Sequence, residues 1–195
     1  MLTAWGKKLV ACAKSAGGSY ITYFIPYTNV LNNGVAYIEA KTAGGATVYI
    51  PPMYYTVPGW IPITSALVAS GSTSSYGIAF GSSDTAATEN DYTMGSQVTG
   101  ITANTPSVQT VFDDVNHRYI ARLDYTVSNN TGSDITIKEI GLFVRFASTT
   151  TRGNSASTTA ANRVSIMIDR TVLDSPVTIA NGTAAAVRYD FAFEG

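Results

Sequence analysis

The chain has 195 residues and a mass of 20.6 kDa, enough for a domain that buries roughly 70% of the surface its unfolded form exposes. Charged residues make up only 13% and apolar residues 45%, which excludes the low-hydrophobicity, high-charge composition of a disordered chain. With 12 Lys and Arg against 13 Asp and Glu, the net charge is -1, without the basic footprint that phosphate backbones demand, so nucleic acid is not an expected partner.

The first expected element is an N-terminal helix over residues 1–18, because Leu2, Trp5, Leu9, Val10 and Ala13 recur at helical spacing and Gly17 and Gly18 follow. A helix of this length is marginal alone and needs a partner surface, which makes Trp5 and Leu9 candidate contact residues. Gly6, Lys7 and Lys8 interrupt any signal-type hydrophobic region. No apolar run approaches the roughly 20 residues of a membrane span. Neither a signal peptide nor a membrane span is expected.

From Tyr20 onward the period becomes two. Strands are predicted over residues 20–26 and 35–39, joined across Asn32-Asn33-Gly34, and over residues 46–50, ending at Pro51-Pro52. Residues 53–62, rich in proline, read as an ordered crossing that carries Tyr54, Tyr55 and Trp60. These aromatics suit a contact with another protein, a stacking platform for a sugar ring, or a flap folded over the core. Residues 19–70 are read either as a separate lobe or as extra strands of a domain over 19–195.

The second half alternates more regularly. In residues 119–127 the odd positions Tyr119, Ala121, Leu123, Tyr125 and Val127 are apolar and Arg122, Asp124 and Thr126 stand among the even ones, so one face is expected inside and one wet. Ala185, Val187, Tyr189, Phe191 and Phe193 repeat this in the last strand, after a turn at Asn181-Gly182. Ile135 and Ile137 share one parity while Ile140, Leu142, Val144 and Phe146 share the other. A β-bulge at Lys138-Glu139 would keep both groups inside. Val164, Ile166 and Ile168 are expected inward, and residues 148–162, small and polar, as a long exposed loop. The pattern predicts a mainly β fold, an antiparallel β-sandwich of jelly-roll or Ig-like type, with a short N-terminal helix.

The chemistry-bearing residues are few. Cys12 is the only cysteine and His117 the only histidine, which leaves no internal disulfide, multi-cysteine zinc site or cluster of imidazole ligands. His117, beside Asp113 and Asp114, is weighed as a metal or acid-base residue against a polar hairpin turn, and the turn is favoured. Asp84, Glu89 and Asp91 lack the spacing of a calcium-binding EF-hand loop and are read as Asx turns with a cap for a short helix near residues 88–92. Asn129-Asn130-Thr131 and Asn181-Gly182-Thr183 match a glycosylation sequon but are read as turns. No phosphate loop, nucleophile elbow or spaced carboxylate pair emerges, so no catalytic, cofactor-binding or metal residues and no cofactor are expected.

Three segments carry a resemblance: Ile78-Ala79-Phe80-Gly81 with the Thr-rich acidic stretch ending Asp91-Tyr92; Asn129-Asn130-Thr131-Gly132-Ser133-Asp134-Ile135-Thr136-Ile137-Lys138-Glu139-Ile140-Gly141-Leu142; and Arg170-Thr171-Val172-Leu173-Asp174-Ser175-Pro176-Val177-Thr178-Ile179. From Ile78 to its end the chain resembles β-rich structural proteins of tailed bacteriophages. The resemblance implies a non-enzymatic virion component, either a capsid decoration or cement subunit or a tail or fibre subunit. It would be assembled in the bacterial cytoplasm, carried on the virion, and partnered by other virion proteins and by copies of itself. The alternative reading is a carbohydrate-binding β-sandwich in which Tyr54, Tyr55 and Trp60 stack on host-surface glycans.

Overall fold

The computed structural model describes residues 38–50, 77–104, 107–147 and 163–194. The expected N-terminal helix, the first strand pair over 20–39 for most of its length, the aromatic crossing and the 148–162 loop lie outside the described residues, and with them Trp5, Leu9, Tyr54, Tyr55 and Trp60.

The described elements are all strands: β1 (Ile38–Lys41), β2 (Thr47–Ile50), β3 (Gly77–Gly81), β4 (Ile101–Ala103), β5 (Ser107–Asp113), β6 (Arg118–Asn129), β7 (Ile135–Ala147), β8 (Arg163–Ile179) and β9 (Ala184–Glu194). All pairings are antiparallel. β1 and β2 form a hairpin, β3, β7 and β8 a three-stranded sheet, and β6 is flanked by β9 on one edge and by β4 and β5 in succession on the other. The fold is therefore mainly β, as its alternating apolar positions and turn residues dictate.

The two larger sheets share one core. Ile78, Phe80, Ile140, Leu142, Ile166 and Ile168 from the three-stranded sheet cluster with Leu123, Tyr125, Val127 and Tyr189 from the sheet around β6, and Ala40 and Val48 of the β1–β2 hairpin join them. The three-stranded sheet is buried on its other face too, where Ala79, Met94, Phe143 and Met167 pack together with Ala43 against them. A sheet covered on both sides explains why every residue of β3 and every residue of β8 from Ser165 to Arg170 is buried. Ile166 and Ile168 lie in the core with Val164 packed against it, as expected, and Ser165 and Met167 between them are equally buried.

Two irregularities set which charges go inside. The pairing of β7 with β8 shifts between Ile137 and Glu139, where Leu173 to Pro176 of β8 stand opposite Lys138 alone. This is the expected phase slip: it lets Ile135, Ile137, Ile140 and Leu142 all reach the core. A second shift leaves Ile168 as an extra residue between the pairs Phe143↔Met167 and Leu142↔Asp169. Past that bulge Asp169 shares a face with Leu142, whereas Arg170 shares one with Gly141 and, two residues away, Glu139.

The chain crosses between the two larger sheets three times at this end, from β3 to β4, from β6 to β7 and from β8 to β9, and Asn129 stitches the last two crossings together. Its side-chain amide, fully buried, donates to Ser133 O and Ile179 O, both at 2.8 Å, and accepts from Thr131 N–H and Oγ1. Its backbone donates to Thr183 O and accepts from Gly182 N–H, whose φ of +74° needs glycine. Asn181 N–H donates to Asp134 Oδ1 and its own Oδ1 accepts from Gly132 N–H. Asn181-Gly182-Thr183 thus forms the expected turn, whereas Asn129 ends β6 with its side chain buried and only Asn130 and Thr131 lie beyond the strand. We expect Asn129→Ala to lower stability by about 2 kcal/mol by orphaning the buried Ile179 carbonyl and removing the donor to Ser133 O. Asn129→Asp, which aims carboxylate oxygens at those carbonyls, should cost at least as much. Denaturant midpoints at unchanged slope check both.

Candidate functional site

The described chemistry concentrates on the second face of the three-stranded sheet, at Glu139 of β7 and Arg170 of β8. Glu139 is fully buried and Arg170 is 3% exposed, and Arg170 Nε lies 2.6 Å from Glu139 Oε2. Burying two charges is costly unless every lone pair and proton is used. Here they are. Glu139 Oε1 accepts from Ser96 N–H at 2.8 Å and Ser83 N–H at 3.4 Å, and Oε2 accepts from Gly95 N–H at 3.1 Å. Arg170 Nη1 donates to Asp91 Oδ2 at 2.8 Å and to Ala86 O, and Nη2 donates to Thr85 O at 3.0 Å.

All the loop partners come from residues 82–98, within the segment between β3 and β4, which contains no strand. Its two arms run back to back along β3: Ser82 N–H donates to Ser96 O and Val98 N–H to Phe80 O. Glu139 therefore gathers the backbone of both arms, while Arg170 holds the loop's far end through Asp91. Met94 inserts beneath, next to Phe143 and Met167. The ring of Tyr92 reaches the β1–β2 hairpin, with Lys41 Nζ 5.3 Å from its centroid. Charge-assisted bonds between two strands and a loop without secondary structure of its own make this cluster a latch.

Two of the three acidic residues read from the sequence, Asp84 and Asp91, meet different cations. Asp84 pairs with Lys138 at 3.0 Å in an exposed setting. Asp91 meets Arg170 and accepts from Thr88 N–H at 2.9 Å and Thr88 Oγ1 at 2.8 Å. The short helix expected near residues 88–92 is replaced by a turn, because Asp91 holds Thr88 across three residues instead of capping a following helical turn.

Burial opposes ionisation of Asp91, but the Thr88 hydrogen bonds and Arg170 outweigh it and hold its carboxyl below the usual carboxylate range. A carboxyl with a lowered folded-state pKa contributes stability above its ordinary unfolded value of about 3.8, and that contribution is lost as pH falls through the folded value. Acid below about pH 4 is accordingly expected to loosen the 82–98 segment. Asp91→Asn should flatten that part of the stability-against-pH curve, read as denaturant midpoints between neutral and acid pH.

A second buried polar group lies on the core face. The Tyr189 hydroxyl donates to Asp169 Oδ2, to which Thr171 Oγ1 also donates at 3.3 Å. Burial, then the Asp169 anion, pushes the Tyr189 phenol well up, and burial does the same to Tyr125. His117 sits exposed in the β5–β6 turn with φ of 48°. Asp113 Oδ1 there accepts from Val115 and Asn116 N–H and Oδ2 accepts from Asn116 Nδ2, the hairpin chemistry favoured from the sequence. Among the described residues no three of His, Cys, Asp and Glu group to hold a metal ion.

Sequence reasoning did not single out Glu139 and Arg170. The signal was a Glu at the phase slip between two isoleucine groups, with Gly81 and Gly141 as small neighbours on its face and an Arg in the facing strand. No family model, curated protein or solved structure matches the chain.

Proposed function

We propose that the protein is a non-enzymatic structural component of a tailed-phage virion, self-assembling or docking on the particle as a capsid decoration or cement subunit or as a tail or fibre subunit. Its two larger sheets then form the layers of an antiparallel sandwich, of jelly-roll or Ig-like type, around the shared core. The observation that carries this reading is the spending of the latch's buried polar groups on the chain itself. Glu139 binds three backbone N–H groups and Arg170, and Arg170 binds Asp91 and two carbonyls. An arrangement of this kind fixes the geometry of a loop on a sheet, the property required of a subunit whose surface must fit identical neighbours many times over.

The test is quantitative mass spectrometry of purified particles made by the genome that encodes the chain. The reading expects the chain in multiple copies per particle, retained through gradient purification. Its confinement to the soluble fraction of the lysate would refute the reading.

A further inference from the structure

Among the described residues, the outer edge of β9 is a long unpaired strand edge. β9 pairs with β6 through all 11 positions from Ala184 to Ser128 up to Glu194 to Arg118, and among the described residues no strand pairs its other side. Natural edges are usually blunted by lysine, proline, a bulge or a covering segment. The edge of β3 is covered by residues 96–98, and β8 carries a bulge and Pro176. β9, with the sequence AAAVRYDFAFE, has neither lysine nor proline, and its pairing with β6 runs without a bulge.

Charge then selects the occupant. On the solvent face of β6 and β9, Arg122 pairs with Asp190 at 2.8 Å and Arg188 with Asp124 at 2.8 Å. Because Arg122 is opposite Asp190 and Asp124 opposite Arg188, the four charges form a two-by-two checkerboard. Arg188 is 59% exposed and Asp190 36% exposed, so both remain open to a further partner. We infer that two copies of this chain join along their β9 edges, antiparallel, around a two-fold axis at Tyr189.

This register is the one the sequence favours. Pairing about Tyr189 sets Arg188 opposite the second copy's Asp190 and Asp190 opposite its Arg188, so the rows read Asp124, Arg188, Asp190, Arg122 across four strands with signs alternating throughout. A shift of the axis by one residue to either side puts Arg188 against Arg188 or Asp190 against Asp190, which is destabilising. A half-step shift aligns the apolar face of one copy with the polar face of the other. Tyr189 is also the midpoint of β9, so all 11 residues overlap. Two four-stranded sheets become one continuous sheet, an isologous contact that closes at two copies.

This deepens the assembly reading by naming where copies meet, yet the two fail separately: the dimer is tested on the purified chain and incorporation on particles. In the proposed register Ala186 lies opposite Ala192 of the second copy, within disulfide reach. Within one chain they are six residues apart, roughly 20 Å along a strand and out of reach. In a Cys12→Ser background, oxidation of Ala186→Cys/Ala192→Cys is expected to give a covalent dimer, and neither single variant should do so. Light scattering on the parent chain should give twice the 20.6 kDa mass. Arg188→Glu should weaken the dimer at least about tenfold by setting like charges opposite one another, with only a small fall in the denaturation midpoint of the monomer, because the Asp124 it then faces within the chain is a partly exposed surface partner. A monomer at every concentration, a dimer without the double-variant cross-link, or an Arg188→Glu dimer as tight as the parent would overturn the inference.

Discussion

Arg170→Met is expected to cost about 3–5 kcal/mol, the range for removing one partner of a buried ion pair and leaving the other charge without its counterion. Methionine fills much of the arginine's volume, so the loss isolates the polar contacts: Glu139 keeps its three backbone donors and Asp91 its Thr88 donors but both lose their cation, and Ala86 O and Thr85 O lose the guanidinium donor. For a chain of this length the drop in melting temperature is on the order of 10 °C. Glu139→Leu should cost a similar amount by orphaning the Ser83, Gly95 and Ser96 amides. The two losses should not add, because the residues share one network: a double-mutant cycle is expected to return a coupling of about 1–3 kcal/mol. Strict additivity would mean that the pair is not a unit.

Gly81→Ala is expected to be the most damaging single-methyl change among the described residues, costing about 3 kcal/mol, the upper end of the range for overpacking. A Cβ there would lie 2.6 and 2.7 Å from Glu139 Cγ and Cδ, and nearer still to Oε1. The glutamate cannot give way, since moving it breaks its bonds to both arms of the 82–98 segment and to Arg170. Gly141→Ala makes the informative contrast. Its Cβ meets Met94 Sδ at 2.5 Å, with Met167 Cε and Phe143 Cε2 at 3.3 Å, and a thioether chain repacks where an anchored carboxylate does not. About 1 kcal/mol is expected for it. Chemical denaturation of the two variants side by side gives the ranking, and equal losses would contradict the account of Glu139 as immovable.

What the sequence made legible follows from period and turn chemistry. The alternation of Leu123, Tyr125 and Val127, the isoleucine groups on either side of Lys138-Glu139, and the Asn181-Gly182 turn all announce themselves locally, and the strands, the slip and the turn stand where those signals put them. The latch was not legible because it is non-local: Glu139 is 31 residues from Arg170 and 43 or more from the loop amides it binds. The extra residue at Ile168 that turns Arg170 toward Glu139 leaves no mark in a strand already apolar on both faces. Asp91 misled for a related reason. An acidic residue after Thr88 reads as a helix cap until the fold supplies Arg170, which favours a tight turn instead. Asn129 was read as an ordinary turn residue because its burial depends on the β8–β9 crossing, some 50 residues away.

Amide hydrogen exchange under native conditions tests the central claim, that Glu139 and Arg170 make residues 82–98 part of the rigid sheet. The N–H groups of Gly95 and Ser96 donate to the Glu139 carboxylate, so their protection reports the latch directly. The account predicts that these amides exchange on the timescale of the β7 strand amides in the parent chain and lose that protection in Arg170→Met. Rapid exchange of Gly95 and Ser96 in the parent, at rates typical of an exposed loop, would contradict it.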